Sequence, residues 1–181
     1  MASSSVSRFS KNATIITGRL RLTPLQAGDA DELAPVLDDE RLHAFIGGRP
    51  LPLADLRDRY VRLAQGPPRP DELWLNWIVR RRADSQSVGT VQATITVQNG
   101  RSTAHVAWVV GVDWQNQGFA SEAARALVDW LRQQGADAVV AHIHPDHHSS
   151  ALVASRAGLE PTDAFSDGER IWRVPPAEAR T

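Results

Sequence analysis

Cysteine is absent from this 181-residue sequence. Without thiols the chain has no disulfide, no thiolate metal site and no cysteine nucleophile. Long apolar runs are also missing, since none approaches the roughly 20 residues that a membrane span needs. The N-terminal segment "MASSSVSRFSKN" is Ser-rich and has no apolar signal core. We therefore expect a cytoplasmic protein in which residues 1–12 form a disordered tail.

The sequence has no excess of charge of either sign. Twenty Lys and Arg residues face 21 Asp and Glu residues, which gives a formal net charge of −1 and an isoelectric point of about 6.6. Broad electrostatic attraction to nucleic acid or to an anionic membrane is therefore not expected. The run Arg80-Arg81-Arg82 leaves two interpretations open, a local basic patch or a solvated strand end.

The rest of the composition is that of a globular protein, with 42% hydrophobic and 23% charged residues. The length suits one domain with a sizeable core. We predict a single domain over residues 13–174, followed by a C-terminal tail at 175–181.

Hydrophobic periodicity predicts the element order β-α-α-β-β-β-α-β-α-β-β. The first strand lies within Thr14 to Leu25, and a helix that starts after Asp29 is predicted to continue to Gly47. From Leu73 three strands follow one another, and Asn99-Gly100 between the last two is a hairpin signal. The remaining predicted segments are a helix at 53–64, a helix after Gln117, a short strand within 136–145, a helix at 148–158 and two closing strands.

The segment "DWQNQGFASEA", residues 113–123, lies at the start of the long helix. The first backbone N–H groups of a helix have no intrahelical partners, so such a start either is capped or binds an anion. A Walker motif GxxxxGK[ST] and an early GxGxxG are both absent, which argues against a nucleoside triphosphatase and against a dinucleotide-binding fold. Taken alone, this segment is only weak evidence for a phosphate site.

In its setting the segment resembles the GNAT family of N-acetyltransferases, and within it the branch of ribosomal-protein N-terminal acetyltransferases. Gln115, Gly118 and Ala120 match the family's acetyl-CoA motif Gln/Arg-x-x-Gly-x-Gly/Ala, and "FASEA" and "AGLE" match further motifs of the branch. The resemblance runs from "GRLRLTPL" to "RIWR". It implies an α+β fold of α/β/α layers, with a mixed, mostly antiparallel sheet of about six or seven strands and flanking helices.

The resemblance also implies a cofactor site for acetyl-CoA. The strand before the motif would hold the pantetheine arm, and the helix start would hold the pyrophosphate. Asn116 stands where the family usually has glycine, and we expect the turn to survive because asparagine tolerates a left-handed backbone. The implied cofactor-binding residues are Val110, Val112, Gln115, Asn116, Gln117, Gly118, Phe119, Ala120 and His147, the last in place of a family asparagine.

Two candidates remain for the chemistry. Ser150 matches a recurrent serine near the thioester sulfur and would assist the leaving thiolate; the alternative is that it only caps a helix. His105 stands where the branch often has glutamate and would accept the amine proton; the alternative is a structural histidine. Many family members use a tyrosine acid where this chain has Ala154, and Tyr60 is the only tyrosine.

These observations predict an enzyme that moves an acetyl group from acetyl-CoA to a primary amine, in a ternary complex. The alternative is a non-catalytic acetyl-CoA-binding module with the same fold. A third hypothesis, a zinc protein, rests on "HIHPDHH" at residues 142–148, but no recognised spacing supports it and we predict no metal. The amine acceptor stays open among protein N-termini, amino acids, polyamines and aminoglycosides, and a homodimer is expected only from family habit.

Overall fold

A computed structural model describes residues 6–175 of the chain; the parts of the predicted tails at 1–5 and 176–181 lie outside the described residues. The segment from residue 6 to residue 12 packs on the domain. Phe9 is 4% exposed in the main core, and the Arg8 guanidinium donates to the Ser102 hydroxyl over 2.5 Å. The core therefore extends into the segment that was predicted to be disordered. No helix within 6–175 is both long and apolar enough to cross a membrane.

Residues 6–175 fold into one eight-stranded sheet with four α-helices. The strands stand in the order β1-β2-β3-β4-β5-β6-β8-β7, and all neighbours are antiparallel except β5 and β6. The predicted α+β fold is confirmed, with more strands than the six or seven expected because the first strand is split at Gly18. The elements are β1 Ile15–Ile16, β2 Leu20–Pro24, α1 Ala30–Leu37, α2 Leu53–Gln65, β3 Glu72–Arg81, β4 Ser87–Gln98, β5 Arg101–Val110, α3 Phe119–Gln133, β6 Ala138–Ile143, α4 His148–Arg156, β7 Glu160–Ser166 and β8 Glu169–Arg173.

Two apolar clusters cover the two faces of the sheet. The larger one joins α3, the end of α4 and every second residue of the central strands, with Trp77 and Leu127 fully buried. The smaller one lies on the other face, where α1 and α2 pack on Ile78. Because successive side chains of a strand point to opposite faces, each central strand contributes to both faces. The result is three layers, with α3 and α4 on one side and α1 and α2 on the other.

The first helix is shorter than predicted. It ends at Leu37, and residues 40–43 form a separate 3-10 turn that Asp39 caps by accepting a hydrogen bond from the Arg41 backbone. The chain leaves the helical conformation at Asp38, whose φ of −81° and ψ of 63° lie outside the α region. The predicted continuation to Gly47 is therefore wrong, and Phe45 and Ile46 are exposed instead of forming the apolar stripe of a helix.

The hairpin between β4 and β5 is confirmed. Asn99 and Gly100 have φ angles of 51° and 77°, which are the left-handed values that a tight two-residue hairpin turn needs. This turn sets the register between β4 and β5, which pair over their full length from Gly89–Val110 to Gln98–Arg101. The register in turn decides which residues of β5 face each side of the sheet.

Candidate active site

A cleft opens in the middle of the sheet where β5 and β6 separate. The two parallel strands pair only from Thr103–Ala138 to His105–Val140. Beyond that point β5 continues to Val110 paired with β4 alone, and β6 continues to Ile143 paired with β8 on its other edge. Residues 106–110 of β5 therefore present an unpaired strand edge to the cleft.

The alternation of backbone groups tells which residues of β5 face this cleft. The N–H of Gly111 donates to the Val88 carbonyl on β4, so the odd-numbered residues bond to β4 and the even-numbered ones point toward β6. Val106, Trp108 and Val110 thus turn their N–H and C=O groups toward the cleft. The Val110 carbonyl already accepts a hydrogen bond from the Gln115 side chain at 3.0 Å.

The placement of Val112 on the same strand is wrong. The strand ends at Val110, and residues 112–114 form a 3-10 turn that leads into the segment before α3. Gly111 lets the chain pass close to α1 at this point, because an added Cβ would come within 2.6 Å of a Val36 methyl carbon. By alternation, Trp108 is the residue that shares the cleft-facing edge with Val110.

The start of α3 is an open backbone turn. Gly118 is the N-cap with φ 82°, and no side chain caps it. Asn116 has φ 60°, which confirms the expectation that asparagine adopts the left-handed turn here. Among the described residues, no acceptor is found for the backbone N–H groups of residues 116–121. The helix start is therefore not capped by the chain itself, and its N–H groups are free to bind an anion.

Arginines border this turn. The Arg19 guanidinium donates to the Gln117 carbonyl over 2.9 Å and pairs with Glu122 at 2.7 Å. Arg81 stacks on the Trp114 ring, with its guanidinium carbon 4.9 Å from the ring centroid. Arg19 and Arg81 also line a cavity of about 430 Å³ at the start of α3. Positive side chains therefore stand beside the free N–H groups.

The arginine run is neither a uniform basic patch nor a freely solvated strand end. Arg80 is 18% exposed and pairs with Asp29 at 2.8 Å and with Glu32 at 2.5 Å. Arg82 donates to the carbonyls of residues 17 and 18, so it holds the turn between β1 and β2. Arg81 and Arg82 both line the cavity at the helix start, whereas Arg80 does not.

Ser150 lies across the cleft from β5, in the first turn of α4. Its hydroxyl oxygen accepts a hydrogen bond from the Trp108 indole N–H at 3.1 Å. The helix is capped by another residue, since His147 is the N-cap and its Nδ1 accepts from the Ser150 backbone N–H at 3.4 Å. The alternative that the Ser150 side chain caps the helix is therefore wrong.

The hydrogen bond to Nδ1 fixes the tautomer of His147. Because Nδ1 is the acceptor, Nε2 carries the proton. Burial, and after it the nearby His144, lower the pKa of His147, so the ring is neutral at neutral pH. The Phe45 ring stacks on His147 with a centroid separation of 4.3 Å and so brings the segment after α1 to the mouth of the cleft.

His105 occupies the point where β5 and β6 separate, on the sheet face opposite Trp108 and Ser150. Its ring centroid lies 5.6 Å from that of His142 on β6. Burial and then His142 lower the pKa of His105, while Glu72 opposes the shift. At neutral pH His105 is therefore an unprotonated imidazole that can accept a proton.

Two further predictions concern side chains near this region. Tyr60 is 3% exposed in the small core, and burial raises its pKa to about 12, which agrees with the expectation that it is no catalytic acid. The histidines of 142–148 do not gather into a metal site: within residues 6–175, no three His, Cys, Asp or Glu residues are arranged to hold a metal ion.

Sequence reasoning missed three contacts. Glu122, quoted only as part of a motif, accepts hydrogen bonds from the Thr17 hydroxyl at 2.6 Å and from Arg19, and so ties the first two strands to α3. The other two are the hydrogen bond from Trp108 to Ser150 and the stacking of Phe45 on His147. The glutamate within "FASEA" could have been matched to the arginine of "GRLRL", but nothing in the sequence pairs Trp108 with Ser150.

The sequence matches the family model described as the acetyltransferase (GNAT) domain over residues 19–160. The chain therefore belongs to the GNAT acetyltransferase family, as the resemblance implied. The search of curated protein sequences finds no significant match.

Solved structures share the fold. A Vibrio cholerae protein provisionally described as a ribosomal-protein-serine acetyltransferase superposes with a TM-score of 0.71 at 18% identity, covering 93% of this chain and 100% of its own. The ribosomal-protein-S5-alanine acetyltransferase of Vibrio fischeri has a TM-score of 0.70 at 15% identity, with 89% and 95% covered. RimL, the ribosomal L7/L12 alpha-N-protein acetyltransferase in complex with coenzyme A, superposes with a TM-score of 0.70 at 15% identity. The match covers 89% of this chain and 97% of RimL. At these identities the likeness shows the fold alone.

Proposed function

We propose that this protein transfers the acetyl group of acetyl-CoA to a primary amine by direct attack in a ternary complex. The observation that carries the proposal is the gap between β5 and β6, which stop pairing beyond His105 and Val140. Ser150 and the free N–H groups of α3 lie toward one face, and His105 lies on the other. A thioester placed in the gap would meet a leaving-group donor on one side and a base on the other.

The helix start supports binding of the pyrophosphate. Backbone N–H groups at residues 116–121, the helix dipole and the Arg19 guanidinium all favour an anion there. The pantetheine amides would bond to the free edge of β5 at Trp108 and Val110, and the His147 Nε2–H is a further donor at the cleft. RimL, which shares the fold, was solved with coenzyme A bound.

The proposed reaction begins with a neutral amine. Its nitrogen attacks the thioester carbonyl carbon, and the proton that the nitrogen loses passes to His105, directly or through water. The C–S bond then breaks. Ser150 donates its hydroxyl hydrogen to the departing sulfur, and water restores the proton to the Ser150 oxygen. The products are an amide and CoA thiol, and His105 returns its proton to solvent.

The environment of His105 favours an α-amine as acceptor. An α-amine has a pKa of about 7.7–8.0 and is roughly one-tenth neutral at pH 7, whereas a lysine-like amine with a pKa of about 10.4 is neutral in a few molecules per ten thousand. An imidazole whose pKa is lowered by burial is a weak base. It suits an acceptor that already supplies a neutral fraction, such as a protein N-terminus or a small-molecule α-amine. We also propose that the protein is a homodimer in the cytoplasm. Analytical sedimentation would measure its oligomeric state.

A turnover screen tests this function. Purified protein is mixed with acetyl-CoA and one of four acceptor classes: peptides with free Ser or Ala N-termini, amino acids, polyamines and aminoglycosides. Thiol release is followed with and without acceptor. We expect release that depends on the acceptor, strongest for α-amines. Binding of acetyl-CoA by calorimetry without turnover on any amine would instead support the non-catalytic module.

A further inference from the structure

We infer that Trp108 is a positioning residue that aims the Ser150 hydroxyl at the thioester sulfur. The inference rests on the proposed role of Ser150 and adds a residue to it. Its basis is the single hydrogen bond from the Trp108 indole Nε1–H to the Ser150 Oγ, 3.1 Å long.

The bond crosses the cleft. Trp108 stands three residues beyond His105, the last β5 residue paired to β6, while Ser150 belongs to the first turn of α4 on the far side. The indole body packs on the main core, which fixes the ring and leaves its N–H directed at the serine. A rigid group on one wall thus holds a small polar group on the other.

The direction of this bond decides what the hydroxyl can do. An indole nitrogen donates only, so the Ser150 oxygen must be the acceptor and its own hydrogen must point elsewhere. Among the described residues the Ser150 side chain has no second hydrogen-bond partner. Donation from the indole also polarises the O–H bond and strengthens its donation to a third atom. The sulfur that leaves the thioester is the atom that would accept this strengthened hydrogen bond.

A serine inside a helix has a competing choice. Its hydroxyl can rotate and donate to the carbonyl three residues earlier, which for Ser150 is that of the N-cap residue His147. The indole N–H disfavours that rotamer because it holds the oxygen on the cleft side. Without the indole N–H, we expect the Ser150 hydroxyl to be hydrogen-bonded to its own helix in part of the molecules. The acetyl-CoA contacts at the start of α3 would be unaffected.

The first test is Trp108→Phe, which keeps an aromatic ring and removes the N–H. With acetyl-CoA and the best amine of the screen, we expect kcat to fall about two- to tenfold, the range for one neutral hydrogen bond. KM for acetyl-CoA should stay within twofold. In the Ser150→Ala background the same change should cause no further loss, because both act through one hydroxyl.

The matched control is Trp77→Phe. It also removes one indole hydrogen bond in the same core, from Nε1 to the Ala13 carbonyl at 2.7 Å, but it lies away from the cleft. We expect it to lower the unfolding temperature and leave kcat unchanged. Equal losses of kcat from both substitutions, or an additive loss in the double variant, would show that Trp108 acts only through packing.

A second measurement does not need turnover. The six tryptophans give separate indole N–H resonances, and Trp108→Phe identifies one of them. CoA and desulfo-CoA, which lacks the sulfur, should both shift the Trp108 resonance because the pantetheine lies along Trp108, but by different amounts, and Ser150→Ala should remove the difference. Equal shifts with both ligands would overturn the inference. Full kcat in Ser150→Ala would contradict the proposed role of Ser150. A lower kcat in Ser150→Ala with an unchanged kcat in Trp108→Phe would contradict only the inference about Trp108.

Discussion

The two faces of the sheet are built in different ways. On the side of α3 and α4, a large continuous core supports the helix starts and the free edge of β5. On the side of α1 and α2, the core is limited to Ala30, Leu33, Leu56, Tyr60 and Ile78 with a few partly buried neighbours. The segment after α1 leaves Phe45 40% and Ile46 60% exposed.

This difference suggests a division of labour. The groups we assign to acetyl-CoA are mostly backbone N–H and C=O groups, held by well-packed elements and by glycine or asparagine turns. The group we assign to the acceptor is a side chain, His105, and the exposed Phe45 ring lies at the mouth of the same cleft. A common donor needs a fixed site, whereas acceptor choice can change with a few side chains on a lightly packed segment.

The largest effect should come from the donor side. Ser150→Ala removes the hydroxyl proposed to stabilise the departing sulfur, and loss of one such donor typically costs about 10²- to 10³-fold in kcat. Acetyl-CoA affinity should stay within a few-fold, because the pyrophosphate contacts lie at α3. Stopped-flow thiol release and calorimetry measure the two quantities.

Ser149→Ala is the matched control for this prediction. Ser149 is exposed, and its hydroxyl lies 3.1 Å from the His147 Nδ1. Its loss should leave kcat near that of the wild type. Neither variant should weaken the helix cap much, because the acceptor of the cap is His147. A Ser150→Ala protein with normal kcat and a lower unfolding temperature would mean that the hydroxyl is structural.

The next effect tests the backbone of the donor site. Gly118→Asp places a carboxylate among the N–H groups of the α3 start, where the Cβ would stand 3.2 Å from the Arg19 Nη2. Repulsion of the pyrophosphate should weaken CoA binding at least about tenfold, or about 1.4 kcal/mol. Gly118→Asn tolerates the positive φ of 82° and adds no charge, so it should bind more tightly than the Asp variant. Equal affinity for all three proteins would place the pyrophosphate elsewhere.

The donor side was also easier to predict from the sequence. Its features depend on short-range rules: a hairpin at Asn99-Gly100, a left-handed turn at Asn116, and a motif at the start of α3. On the acceptor side the apolar spacing of residues 33–46 favoured one helix, although the helix ends at Leu37. The bonds between Trp108 and Ser150, and between Arg19 and Glu122, join residues 42 and 103 positions apart, so periodicity gives no sign of them.

A smaller effect, which depends on the acceptor, is expected from His105. If His105 accepts the amine proton, kcat/KM should rise with pH through an apparent pKa below the usual value of about 6.5, because burial and His142 lower the pKa of His105. His105→Ala should remove this limb. The loss should be larger for a lysine-like amine than for an α-amine, which already supplies a neutral fraction.

His142→Ala sharpens the same measurement. It removes the second imidazole 5.6 Å away, so the limb assigned to His105 should move to higher pH while the activity at high pH changes little. An unchanged limb in both variants would show that another group, or water, takes the proton.

The smallest effect concerns the light core under the acceptor side. The Tyr60 hydroxyl is buried and has no hydrogen-bond partner within the described residues. A buried hydroxyl without a partner costs about 1–3 kcal/mol, so Tyr60→Phe should raise the free energy of unfolding by on the order of 1 kcal/mol and leave turnover unchanged. Burial also raises the pKa of Tyr60 to about 12, above the value near 10 of an exposed tyrosine. The wild type should therefore lose stability as the pH rises from 10 toward 12, because the unfolded chain ionises first. The phenylalanine variant should lose less over this range in denaturant titrations. A Tyr60→Phe protein that is less stable than the wild type would contradict this prediction. It would mean that the Tyr60 hydroxyl is hydrogen-bonded to a bound water in the folded protein.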